Sequence, residues 1–323
     1  MPELSDQIND KAERLVTVPD EFLSKIPAAE QQVYDQVVQL MAKMDTKNGQ
    51  FVINKKNIRI VSDISNLLRQ VLLGSSYVEA VGEFARQFDQ QAIINQELFR
   101  NLFPSFTSSQ IADQIVQVAK REAVELFLSQ AAELDFVAPL RGTIQQAIYN
   151  GSGYTETLDN IRAFIKGSED DLGALSKYSK TYAHDTFAVS DRTYTSIVST
   201  ELKAEWFYYT SGRIATTRAF CKEREGEYFH IKEIEGWFKQ PVVHQKGQQT
   251  PQVTSRNGQV GVHWAGMWTG ESFSTFFVYA GGFNCGHSVL PQSVFSMPIT
   301  VVKRNIQSGN YKPSRKEAEL LGV

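Results

Sequence analysis

Cysteine is almost absent from this chain. Two residues in 323, Cys221 and Cys285, exclude a disulfide-built secreted scaffold and point to a reducing compartment. Long apolar runs are missing too. No stretch approaches the roughly 20 residues that cross a bilayer, so no membrane span is expected. The opening MPELSDQINDKAERL is acidic and polar and has no apolar signal core, which argues against export by that route. A surplus of basic charge is also lacking. At a net charge of -3 the chain is not built wholly around nucleic acid, because neutralising phosphates needs excess Lys and Arg. There is no internal repeat and no low-complexity block. What is present is a hydrophobic fraction of 42%, enough to build a core and to exclude global disorder.

The first two hundred residues read as helices. Val33, Val37, Leu40 or Met41, and Met44 recur every three to four positions and make one apolar stripe. Pro19-Asp20-Glu21 predicts the start of a second helix, with proline in its first turn and acids at the positive dipole end. A further stripe runs through Ile60, Ile64, Leu67 and Leu68, and Gly74-Ser75-Ser76 interrupts the run. Pro104 ends the next segment, and Ser108 or Ser109 can cap the one after. Pro139 kinks or ends that helix, and a long aromatic-rich helix follows over about 172–207.

Beyond residue 205 the pattern changes. Trp206-Phe207-Tyr208-Tyr209 is strand-prone, Gly226 marks a turn, and 231–238 reads as a short helix. Residues 241–260 read as a loop with a hairpin around Arg256-Asn257-Gly258, and 273–279 as the clearest strand. Gly281-Gly282 makes a tight turn. The expected fold is therefore α+β: a mainly α-helical N-terminal two-thirds, then a small α+β C-terminal domain. The expected division is an elongated helical domain over 1–200, an α+β domain over 201–300 and a basic tail over 301–323 carrying Lys303, Arg304, Lys312, Arg315 and Lys316.

The stretch 211–291 holds both cysteines and four of the five histidines. In extended backbone Cys285 and His287 face the same way, so both can reach one ion. Cys221, and His230 or His263, would complete a zinc tetrahedron. Two other readings stay open: a Cys221–Cys285 disulfide, or two cysteines acting as small buried apolar side chains. Cys285 paired with a distant His230 or His263 would instead be a nucleophile, a metal-supported enzyme or a toxin-like domain. The arginine of the Thr216-Thr217-Arg218 element, with Arg213 and Arg224, can hold the nearby turn by bonding backbone carbonyls or Glu223, Glu225 or Glu227, or face DNA.

The same stretch resembles the C-terminal domain of the phage Mu-type head morphogenesis, or minor head, proteins. The resemblance spans about 208–294. It is carried by Thr217-Arg218-Ala219-Phe220-Cys221 and by Asn284-Cys285-Gly286-His287 with a downstream proline, and Gly282 lies just before the closing element. Gly286 stands where the family carries arginine, and the 240–260 insert is longer than the family pattern. The resemblance implies a structural, non-enzymatic virion protein of a tailed-phage head, assembled in the host cytoplasm. Its implied partners are the portal or other head proteins, with weak non-specific contact with packaged DNA, and its implied roles are head assembly and genome packaging or ejection. Thr217, Arg218, Gly282 and Asn284 are the motif residues so implied. No resident cofactor follows from the resemblance, and a structural zinc comes only from the Cys and His residues themselves.

Overall fold

The computed structural model describes residues 4–128, 133–168, 171–210, 217–238, 272–282 and 285–323. Helices α1 (Leu4–Met41), α2 (Lys55–Leu72), α3 (Ser75–Leu102) and α4 (Gln110–Leu128) come first, with a two-stranded hairpin β1 (Thr46–Lys47) and β2 (Gln50–Phe51) between α1 and α2. A π-turn (Glu133–Val137) leads into α5 (Ala138–Tyr149) and α6 (Tyr154–Lys166). The hairpin β3 (Gly167–Ser168) and β4 (Asp171–Leu172) precedes α7 (Ala174–Glu201). The C-terminal part holds β5 (Trp206–Tyr209), α8 (Ala219–Lys222), β6 (Tyr228–His230), α9 (Ile231–Trp237), α10 (Phe273–Tyr279), β7 (Val289–Gln292), a 3-10 turn (Val294–Ser296), α11 (Ile299–Gln307) and α12 (Arg315–Leu321). The chain is thus mainly α-helical, with a small α+β assembly near its C-terminus.

Several boundaries follow local chemistry. Helix α3 stops at Leu102, two residues before Pro104. Ser109 Oγ accepts from Ala112 N at 3.1 Å and so satisfies an orphan donor at the start of α4. Pro139 sits in the first turn of α5, where a missing N–H costs nothing.

Four expectations are corrected. Pro19 does not open a second helix, because α1 runs through both Pro19 and Pro27. Buried Leu15, Val18, Phe22, Ile26, Ala29, Val33 and Val37 form one unbroken stripe, and that burial outweighs the two lost backbone bonds. The segment Phe273–Tyr279 is a helix, not a strand, because a capping box formed by Ser272 and Thr275 starts it and Phe276 fills the core. Residues 301–323 are no tail: α11 and α12 fold there, Val302 is fully buried, and Arg304 donates to Tyr228 O at 3.1 Å. Finally, the chain does not divide at residue 200. One compact unit comprises Met1–Val16, Asp89–Gln117 and Phe187–Val323, and the other Thr17–Phe88 and Val118–Thr186. Helices α1, α3 and α4 and the long α7 each contribute residues to both, which a linear reading of the sequence cannot reveal. The hairpin expected around Arg256-Asn257-Gly258 lies outside the described residues.

In the first unit β5 is the middle of a three-stranded antiparallel sheet in the order β6-β5-β7. Its register pairs Trp206 with His230 and Gln292, Phe207 with Phe229 and Pro291, and Tyr209 with Val289. Alternate residues point to opposite faces. On one face Trp206 packs with Val294, Met297, Val302 and Tyr311, and on the other Phe207 and Tyr209 pack with Phe220, Cys221, Phe276 and Cys285. The four-residue aromatic strand therefore supplies two separate cores.

Candidate metal centre

The second of those cores carries the polar cluster. Cys221 lies in the single turn of α8. Cys285 and His287 lie in the segment entering β7, and Tyr209 ends β5. Cys221 Sγ and Cys285 Sγ are 3.9 Å apart, and Cys285 Sγ is 3.5 Å from His287 Nδ1. The Tyr209 hydroxyl meets Cys221 Sγ at 3.4 Å, and Gly281 N donates to Cys285 Sγ at 3.3 Å. Relative exposures of 2% for Cys221, 4% for Cys285 and 2% for His287 close the cluster to solvent. The donor atoms of the two cysteines and the histidine all lie within 4.8 Å of one another. Both thiols are free.

The turn after α10 makes this approach feasible. Ala280 sits at φ 49 and Gly282 at φ 97, and Cys285 N donates to Gly282 O at 3.1 Å. Gly281 is required by space: a Cβ there would lie 2.2 Å from Cys221 Sγ and 2.9 Å from Cys285 Sγ. Arg218, at the N-cap of α8, donates to Gly281 O at 3.3 Å, so an arginine does hold this turn through a backbone carbonyl. Arg224 lies over the rings of Phe220 at 3.9 Å and Trp237 at 4.5 Å and donates to Phe220 O at 2.8 Å, which makes it part of the packing and not a DNA face. Thr217 is buried beside this element, while Asn284, Arg213 and His263 lie outside the described residues.

His230 does not join the cluster. It pairs with Trp206 across the sheet and so shares the opposite face, where its ring lies 4.8 Å from Trp206 and 5.7 Å from Tyr311. Its Nδ1 accepts from Lys232 N at 3.3 Å and caps α9. Burial pushes its pKa down. A strand period of two decides the matter: Trp206 and Tyr209 are three apart, so partners of one cannot face the site of the other.

The N-terminal helices supply residues that no motif of the sequence marks. Arg192 of α7, fully buried, donates through one guanidinium nitrogen to Tyr279 O at 3.2 Å, Cys285 O at 3.3 Å and His287 O at 3.5 Å. Its neighbour Asp191 accepts from Ser288 Oγ at 3.2 Å, from Asn95 Nδ2 at 2.9 Å, from Gln91 Nε2 at 3.0 Å and from Lys11 Nζ. Ser288 N in turn donates to Thr210 Oγ1 at 2.8 Å. The segment carrying Cys285 and His287 is thus clamped by two adjacent charged residues of one helix. The legible signal was a charged pair within the apolar repeat that ends in Tyr194 and Val198.

The two thiols do not ionise independently. The contact with Cys285 pushes the Cys221 thiol up, and burial adds to it. The same contact, helped by His287 and the Arg192 charge, holds Cys285 well below the usual thiol range against desolvation. Burial also pushes the Tyr209 hydroxyl well up, so it remains a neutral donor. No protein-family model, curated protein or solved structure matches the chain.

Proposed function

We propose that this chain is a structural minor head protein of a tailed phage, associated with the portal or another head component and taking part in head assembly. Its action in genome packaging or ejection is part of the same reading. One observation carries it: the two short elements that bear the head-protein resemblance are brought together in space. Cys221 of the first and Cys285 of the second are 64 residues apart in sequence and 3.9 Å apart at their sulfurs. A resemblance split over two distant elements gains weight when both build a single buried cluster. The burial of that cluster favours a role in holding the domain together over turnover of a substrate. Acting as a non-enzymatic part, the chain would meet its partners through surfaces of the helices that surround the clamp.

The experiment is to tag the chain in the genome that encodes it, purify particles through a density gradient and measure its copy number by quantitative mass spectrometry. A fixed, low number of copies per particle, retained when portal-containing heads are isolated, is the expected result. A chain found only in the lysate supernatant, with particles of normal yield in its absence, refutes the proposal.

A further inference from the structure

We infer that Cys221, Cys285 and His287 form a binding site for one zinc ion, which ties α8 to the segment entering β7. Two thiolates bound at about 2.3 Å to a tetrahedral ion stand about 3.8 Å apart, and a thiolate and an imidazole nitrogen about 3.5 Å. The chain presents 3.9 Å between the sulfurs and 3.5 Å between Cys285 Sγ and His287 Nδ1. A disulfide would need the sulfurs at about 2.05 Å.

Three further observations point to an ion. The Gly281 amide is aimed at Cys285 Sγ, a donor that favours a thiolate over a thiol. Gly281 itself leaves free the space beside both sulfurs that any side chain would fill. His287, with 2% exposure, turns Nδ1 toward Cys285 Sγ, so an imidazole nitrogen and two sulfurs share one buried pocket. Soft sulfur with imidazole in a tetrahedral arrangement selects zinc over calcium or magnesium. Among the described residues these three are the protein donors, and water can take the fourth position of the tetrahedron. Binding expels the thiol protons and is energetically part of folding. This assignment does not rest on the head-protein reading, and either can fail alone.

The test uses the full chain, expressed with zinc in the medium and purified without chelator. Elemental mass spectrometry should find about one zinc per chain, falling below about 0.2 in Cys221→Ser, Cys285→Ser and His287→Ala, while His230→Ala keeps the full amount. Should the cysteine variants fail to fold, wild type alone still decides. Exchange into cobalt should give a sulfur-to-metal charge-transfer band, and a strong chelator should lower the melting temperature. Wild-type protein that carries no metal and gives no such band overturns the assignment. So does an intact mass two hydrogens short of the reduced chain, which marks a disulfide, or a zinc content unchanged in all three site variants.

Discussion

Replacing Asp191 with Leu tests the clamp behind the cluster. Lys11 and Asp191 have fully buried side chains and form an ion pair. Burial alone would raise the Asp191 carboxyl, but the Lys11 charge and the hydrogen bonds from Lys11, Asn95 and Gln91 outweigh it and hold its pKa below the usual range. Asp191→Leu leaves the Lys11 ammonium with Asn95 Oδ1 at 2.6 Å and Thr195 Oγ1 at 3.5 Å as its neutral acceptors. Breaking a buried pair from one side costs about 3–5 kcal/mol, a large part of the 5–15 kcal/mol that holds a typical domain. Lys11→Met should cost less, because Asp191 keeps its donors Asn95, Gln91 and Ser288. The double variant should recover at least about 2 kcal/mol of the summed single losses.

The pH dependence of Asp191→Leu provides a second readout. Burial already lowers the Lys11 pKa, and among the described residues Asp191 is the opposite charge that raises it. Between that lowered folded value and about 10.4 the unfolded chain holds more protons, so stability must rise with pH. Urea unfolding of all four proteins, followed by tryptophan fluorescence from pH 6 to 9, measures both effects. Single losses below about 1 kcal/mol that simply add would refute the account of a coupled buried pair.

Other outcomes follow from individual residues. Gly281→Ala forces a Cβ against both sulfurs and should cost about 1–3 kcal/mol or more by overpacking, read as a lower melting temperature; an unchanged value would show that the turn is loose. His230→Ala should cost about 0.5–2 kcal/mol through the lost α9 cap, while His230→Asn, which can cap, should keep most of it. Glu30 has its pKa raised chiefly by burial, although Ser176 donates to it from both backbone and hydroxyl. A raised folded value means that its stabilising contribution is complete below the unfolded value near 4.3 and is lost as pH rises through the folded one. Glu30→Gln should flatten that part of the stability profile, and a wild-type slope surviving in the variant would locate the titration elsewhere.

Much of the local structure was legible residue by residue. Apolar stripes marked the helices, Pro104 and Gly74 marked their ends, and the aromatic run at 206–209 formed a strand. These features depend on neighbours within a few positions, where period and capping act directly. The failures came where distant burial overruled local preference. Pro19 and Pro27 stay within α1 because its stripe is buried throughout, and the strand-prone Phe273–Tyr279 coils into a helix around Phe276.

For the cluster itself, the sequence determined which side chains could act as donors: two cysteines, and a histidine two residues beyond the second. Tertiary structure alone decided which of them meet. The strand period placed His230 on the far face of the sheet, and the absent side chain of Gly281 let the two sulfurs approach. Arg192 and Asp191 reach the segment from a helix more than eighty residues upstream in the chain. Such meetings depend on sheet register and on helix packing across long stretches of chain, and no local pattern of residues encodes them.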